Sequence, residues 1–344
     1  MKQDLTAAER QARTQRRRAA WTLVLLAPVC AELTFTAVAV PFTWLLTPLL
    51  MVMYGAGVLL VREVVARTGA GWPGLVLMGL AYQLAEDGLG LQALTSPDMY
   101  GAADWGWRAL GANWSYWASQ IGVHVVLSVL VPVMLTNILF PAQRDRPYLR
   151  TPGLIVTGAL AIVGVMGLRV VISATEDPGY VTPWGWLLAY VAAIAVLTVL
   201  TVRVAPHLAG RPARISPAPR PPVVGISLAV VTVVFLVLLL PPGLGPTSAL
   251  GAFLPLPILV AIAVLVGLGS AWQVERWARA QGWSDRHRIW LAGGILVGHT
   301  AFMMPASASA VLTGAITIAV EVALLVVLAR YVARRRGEGA VRSR

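Results

Sequence analysis

Tyr82-Gln83-Leu84-Ala85-Glu86-Asp87-Gly88 sets two carboxylates side by side in a run otherwise apolar enough to cross a membrane. It constrains the rest of the chain, because a protein that carries Glu86 and Asp87 into hydrocarbon has to bring them a partner or a function. The next apolar segment offers one. Asn113, Trp117, Gln120, His124 and Ser128 recur at spacings of three or four residues and so fall along one stripe of a helix.

The surrounding chain makes the membrane reading firm. Of its 344 residues 58% are hydrophobic and 12% charged, and the mean hydropathy of +0.74 lies far from soluble domains. Apolar runs of about 20 residues, each enough to cross roughly 30 Å at about 1.5 Å per residue, recur throughout. They cover 20–40, 43–66, 72–93, 114–140, 153–174, 180–204, 223–241, 253–273, 289–310 and 312–333. The expectation is an all-α polytopic membrane protein of about ten transmembrane helices. The first run follows Arg16, Arg17 and Arg18 and lacks a small-residue cleavage site, so it reads as a retained helix and not a signal peptide.

The net charge of +12 is explained by its placement along the chain and does not call for nucleic acid. Even-numbered connections hold Arg62 and Arg67; Arg144, Arg146 and Arg150; Arg203, Arg211, Arg214 and Arg220; and Arg276, Arg279, Arg286 and Arg288. The odd-numbered ones are acidic or uncharged, and of 27 basic residues only Arg108 and Arg169 fall among them. By the positive-inside rule both termini are cytoplasmic. The lone Lys2 beside many arginines, with abundant alanine, glycine and valine, fits a bacterial GC-rich genome, hence the bacterial plasma membrane.

Composition divides the chain into a basic tail (1–19), a front bundle of about six helices (20–204), a Pro/Arg-rich linker (205–222), a rear bundle of about four helices (223–333) and a basic tail (334–344). Trp272, Trp277, Trp283 and Trp290 interleave with arginines, as suits a segment at headgroup level. Arg62-Glu63 reads as a snorkelling or surface ion pair at a helix end.

Counting along the helices puts Glu86 about 10 Å, Gln120 about 9 Å and His124 about 15 Å below the outer surface, with Glu32 at about 12 Å, Glu321 at about 14 Å and Arg169 at about 7 Å. The candidate polar site is therefore Glu86, His124, Gln120, Asp87, Glu32 and Arg169, with His299 and Glu321 as secondary candidates that bond to one another. Neighbours on an α-helix point about 100° apart, which favours Glu86 over Asp87 as the working carboxylate. The loop holding Asp98, Tyr100, Asp104, Trp105 and Trp107 either covers the site or supplies an interfacial aromatic belt, the belt being the commoner use.

No phosphate-binding loop, His-Glu-x2-His, Gly-x-Ser-x-Gly or calcium loop occurs, so ATP hydrolysis is set aside; in an ATP-driven system the chain would be the membrane subunit. The single Cys30 excludes an internal disulfide, and no cofactor is expected. Partners are the bilayer and an unidentified small solute, ion or membrane peptide.

Glu86-Asp87 and His124 resemble the motifs of the CPBP intramembrane metalloproteases, Glu-Glu-x3-Arg, Phe-x3-His and His-x3-Asn/Asp. Here Asp87, Leu91, Gln120 and Met303 stand at the second glutamate, the arginine, the aromatic and the last position. The resemblance implies a divalent metal held through Glu86, His124 and His299, and peptide hydrolysis. Leu60 to Val64, Gly71 to Gly74, Glu86-Asp87-Gly88 and His124 through Pro132 are similar to an uncharacterised group of bacterial multi-span membrane proteins. Three functions follow as expectations: binding or translocation of a proton, cation or small solute; a metallohydrolase; or a non-catalytic subunit or scaffold.

Overall fold

The computed structural model describes residues 7–210 and 214–342. Residues 1–6 of the basic tail, Arg211 of the linker and the last two residues lie outside them. The protein is all-α apart from two short strand pairs, and eight helices among the described residues are long and apolar enough to cross a membrane.

The first apolar run forms helix α1 (Ala7–Pro28), prolonged by a π-helical turn at Val29–Leu33. The expected tail is thus continuous with the first helix from Ala7 onward, because nothing in 7–19 breaks helical geometry. The helix also stops short of residue 40. Phe35, at φ −124° and ψ −91°, breaks it before the short helix Thr36–Ala39. Helix α2 spans Pro41–Thr68. The third run forms α3 (Gly71–Gln83), which passes into a seven-residue π segment, Leu84–Gly90. Neither α1 nor α3 is among the eight, since Arg16–Arg18 and Glu32 crowd one and Glu86 and Asp87 sit in the other.

Helices α4 (Trp114–Leu139), α5 (Thr151–Glu176) and α6 (Trp184–Arg203) follow, then α7 (Pro221–Leu239), α8 (Leu256–Ala278), α9 (Asp285–Ala306) and α10 (Ala308–Arg335). Small residues let α7 and α9 approach closely. A Cβ placed on Gly294 would lie 2.1 Å from the Gly225 carbonyl oxygen, and one on Gly298 would lie 2.6 Å from that of Ala229.

The arginine-rich connections meet at one end of the molecule. Arg62 donates to the carbonyls of Gln143 and Arg144, Arg67 donates to that of Leu149, and Arg144 pairs with Asp285. Arg62 and Glu63 are buried there, not snorkelling at a surface. Glu63 accepts the backbone N–H of Tyr148 at 2.6 Å and of Leu149 at 3.2 Å, and the Arg62 guanidinium lies 3.4 Å from the centre of the Tyr148 ring. The pair was misread because residues 143–149 fold back over that helix end and remove it from water.

At the same end the linker strand Arg214–Pro217 runs parallel to Ala280–Gln281. His287 reinforces the junction, accepting the Ser284 N–H on Nδ1 and donating from Nε2 to the Pro219 carbonyl. Trp272 and Trp277 belong to α8 and Trp290 to α9, so only a short connection separates these helices.

The opposite end gathers the remaining loops. Ser96 bonds Asp177, Thr95 bonds Thr182 at 2.9 Å, and Gly243 packs on Ala306. Asn113 pins the loop between α3 and α4, donating to the carbonyls of Ala93 at 2.8 Å and Ser96 at 2.6 Å while accepting from Arg108. Asn113→Ala would strip two buried acceptors of their donor, at about 1–3 kcal/mol each. Limited proteolysis in detergent should then cut within 91–113 faster than in the wild type, and an unchanged cleavage rate would refute the pinning role.

Candidate functional site

His124 is the centre of the polar site. Its Nδ1 lies 3.2 Å from Glu86 Oε2 and its Nε2 lies 3.1 Å from Asp87 Oδ2, all three side chains being buried. Both carboxylates face one imidazole, where α-helical spacing favours Glu86 over Asp87. The reason is backbone geometry. Residues 84–90 are π-helical, with Leu91 N–H bonded five residues back to Glu86 O at 2.7 Å. The wider turn brings adjacent side chains to one side more than an α-helix does.

Three further polar residues of the site also stand on π segments. His124 lies in Ile121–Leu130, Glu32 in Val29–Leu33 and Tyr54 in Met51–Gly55. Single π turns inside α-helices are uncommon and concentrate at functional sites.

Tyr54 donates its hydroxyl to Glu32 Oε1 at 2.7 Å, and Tyr116 donates to Asp87 Oδ1 at 3.2 Å. The Tyr54 ring stacks on His124 at a centroid distance of 5.9 Å, and Tyr82 meets that imidazole edge-on at 6.2 Å. Within this shell Glu86 Oε2, Asp87 Oδ2, His124 Nδ1 and the Tyr82 hydroxyl have no aligned hydrogen bond. The histidine contacts are therefore close approaches and not directed hydrogen bonds. A buried polar group without a directed partner is costly, and such groups mark places where a further species belongs.

Glu86, Asp87 and His124 border a cavity of about 310 Å³, as do Tyr54 and Tyr116. Glu32, Glu86, Asp87, Gln120 and His124 all line it, so five of the six residues read from the sequence come together. Arg169 does not join them; its guanidinium donates to the Tyr180 carbonyl in the α5–α6 connection. The stripe on α4 splits: Gln120 and His124 face the cavity, Asn113 pins the loop, and Ser128 bonds Val123 O at 3.0 Å within its own helix.

Tyr100 and Trp105 from the α3–α4 loop close the cavity together with Leu240, Pro241, Leu244 and Gly245 from the α7–α8 connection. Trp105 is thus part of a cover and not of an interfacial belt; it is buried and bonded to the Tyr100 carbonyl at 3.0 Å. Trp107, Trp114, Trp117 and Trp186 form an adjoining aromatic stack.

His299 and Glu321 form a separate group. His299 donates from Nδ1 to Leu296 O at 2.7 Å, and it is Thr300, not His299, that reaches Glu321 Oε1, at 3.2 Å. Sequence reasoning missed Tyr54 and Tyr116, although a tyrosine hydroxyl inside an apolar run is itself a signal because it needs a partner when buried. The 240–245 segment carried no such signal.

A family model matches residues 22–341, nearly the whole chain. The chain belongs to a family described as an uncharacterized membrane protein family. No curated protein and no solved structure matches it. Membership establishes a multi-span membrane protein, and nothing in these comparisons points to the CPBP metalloproteases.

The site was also tested against a metal centre. Glu86 and His124 are close enough to share an ion, yet the imidazole turns one nitrogen to each carboxylate, leaving the acids on opposite edges of the ring. Among the described residues no group of three or more His, Cys, Asp or Glu has an arrangement that could hold a metal ion, and His299 lies in the separate group. The residues do not fit the centre that the resemblance implied.

Proposed function

We propose that this family member binds and translocates a proton or a small cationic solute through the cavity around Glu86, Asp87 and His124. The observation carrying the reading is the imidazole held between two buried carboxylates within a covered cavity. Glu32 adds a third acid. One imidazole faces three buried carboxyl groups, so the site can take up positive charge, either as protons on the acids or as a bound cation. Ionisable groups inside membrane helices are costly and usually mark such pathways.

The arginine distribution supports ten spans with both termini cytoplasmic, and hence a cavity nearer the outer face. In this arrangement the two covering loops form an outer gate, and a proton moving between the edges of His124 passes from one acid to the other.

The test uses purified full-length protein in liposomes containing a pH-sensitive dye, under an imposed membrane potential. Wild type is expected to pass protons, alone or with an added organic amine, and Glu86→Gln should lower the flux by about tenfold or more, a barrier increase of about 1.4 kcal/mol. Equal flux through wild type and Glu86→Gln, with both proteins monodisperse, would rule out the site as the pathway.

A further inference from the structure

Behind the cavity wall a second polar group surrounds the break in the first membrane helix, and none of its residues belongs to the pathway proposed above. The break turns the Thr34 carbonyl outward, where it accepts the Thr300 hydroxyl at 2.6 Å. The same hydroxyl oxygen lies 3.2 Å from Glu321 Oε1. A hydroxyl has one proton, so it satisfies one of these two acceptors at a time. The Thr34 hydroxyl, 3.0 Å from the Val29 carbonyl and 3.5 Å from His299 Nε2, also lies near the Glu321 carboxylate, and its one proton serves one of these acceptors at a time. Glu321 Oε2 has no hydrogen-bond partner, although the residue is only 6% exposed. Nor is a cation at hand. Among the described residues no arginine or lysine is seen to pair with Glu321, and His299 spends its Nδ1 proton on Leu296 O.

A carboxylate, two hydroxyls and a carbonyl thus converge with fewer protons than acceptors. We infer that the helix break at Thr34–Phe35 holds a small monovalent cation of sodium size, ligated by the Glu321 carboxylate, the Thr300 hydroxyl and the Thr34 carbonyl. The donors are all hard oxygens, as alkali and alkaline-earth ions require. One carboxylate balances one positive charge. Entry of the ion replaces the Thr300–Thr34 hydrogen bond, and the short span of these oxygens suits a small ion better than a large one. Interrupted membrane helices that offer a free carbonyl are a recurrent way to build such sites.

The ion would also touch the transport cavity indirectly. Phe35 and Thr36, directly after the break, line that cavity with Glu32, and Phe35 stacks on His299 at 5.0 Å. Occupancy behind the wall therefore sets the position of the wall itself.

The experiment is equilibrium binding of radioactive sodium to the purified full-length protein in lipid-supplemented detergent, with choline chloride holding ionic strength. Wild type should bind saturably, and excess unlabelled sodium chloride should displace the label. Glu321→Gln and Thr300→Val should weaken binding by about tenfold or more, while Thr300→Ser restores it. Glu86→Gln should bind as wild type does, which keeps this result separate from the fate of the central pathway. Absence of saturable binding by wild type, or equal binding by Thr300→Val and Thr300→Ser, would overturn the site. Loss in Glu86→Gln with retention in Glu321→Gln would overturn it as well, by moving the ion to the central cavity.

Discussion

Alanine at position 63 is expected to destabilise the protein by about 3–5 kcal/mol, the cost of breaking a buried ion pair from one side. Glu63 is fully buried, and its Oε1 takes both the Tyr148 N–H at 2.6 Å and Arg62 Nη1 at 3.0 Å. Its Oε2 takes the Leu149 N–H at 3.2 Å and lies 3.5 Å from Arg67. The truncation leaves two backbone donors without an acceptor and Arg62 without the carboxylate it pairs with, facing two carbonyls and a tyrosine ring. Glu63→Gln keeps an acceptor and should fall between wild type and alanine. Thermal unfolding in detergent, followed by the loss of the monodisperse peak, provides the measurement. An alanine variant that melts with the wild type would show that the pair does not hold the 143–149 segment.

Leucine at position 294 should also be severe, because it enters a contact with no spare room. With the Cβ alone 2.1 Å from the Gly225 oxygen, α7 and α9 must separate before any side chain fits. Overpacking costs typically about 1–3 kcal/mol, and a backbone-to-backbone contact lies at the upper end because neither partner has a rotamer to change. The effect should reach the site, since α7 leads into the covering segment 240–245 and α9 carries Thr300. The expected result is a lower melting temperature together with faster proteolysis of the α7–α8 connection. A Gly294→Leu protein with wild-type stability and cleavage would mean that these helices are not in close contact.

Most of the architecture was legible because hydropathy and arginine placement are read over twenty residues at a time, so single exceptions average out. The pairing of Glu86 with His124 was legible for a related reason: consecutive antiparallel helices are neighbours, and the depths of the two residues matched. What failed depended on local backbone. Asp87 ranks below Glu86 only if α-helical angles hold across a segment that is π-helical, and nothing in Leu84-Ala85-Glu86-Asp87 announces the wider turn. Glu63 was taken for a surface group because its cover, the Tyr148 and Leu149 amides, comes from 85 and 86 residues later in the chain. Depth alone grouped Arg169 and Glu321 with the cavity; depth fixes one coordinate and leaves the position around the bundle open.

The π segments bear on how this chain tolerates change in length. A π turn is an α-helix carrying one surplus residue, so deleting a single residue within Ile121–Leu130 would let the helix relax to α geometry. It would also turn everything on one side of the deletion by about 100° relative to the other. Either His124 would leave the carboxylates, or the lipid-facing side of α4 would turn toward its neighbours. In most helices such a deletion is a defect of packing alone; in this one it uncouples the position of the Glu86–Asp87–His124 trio from the position of the membrane, which constrains the spacing of the chain as firmly as its composition.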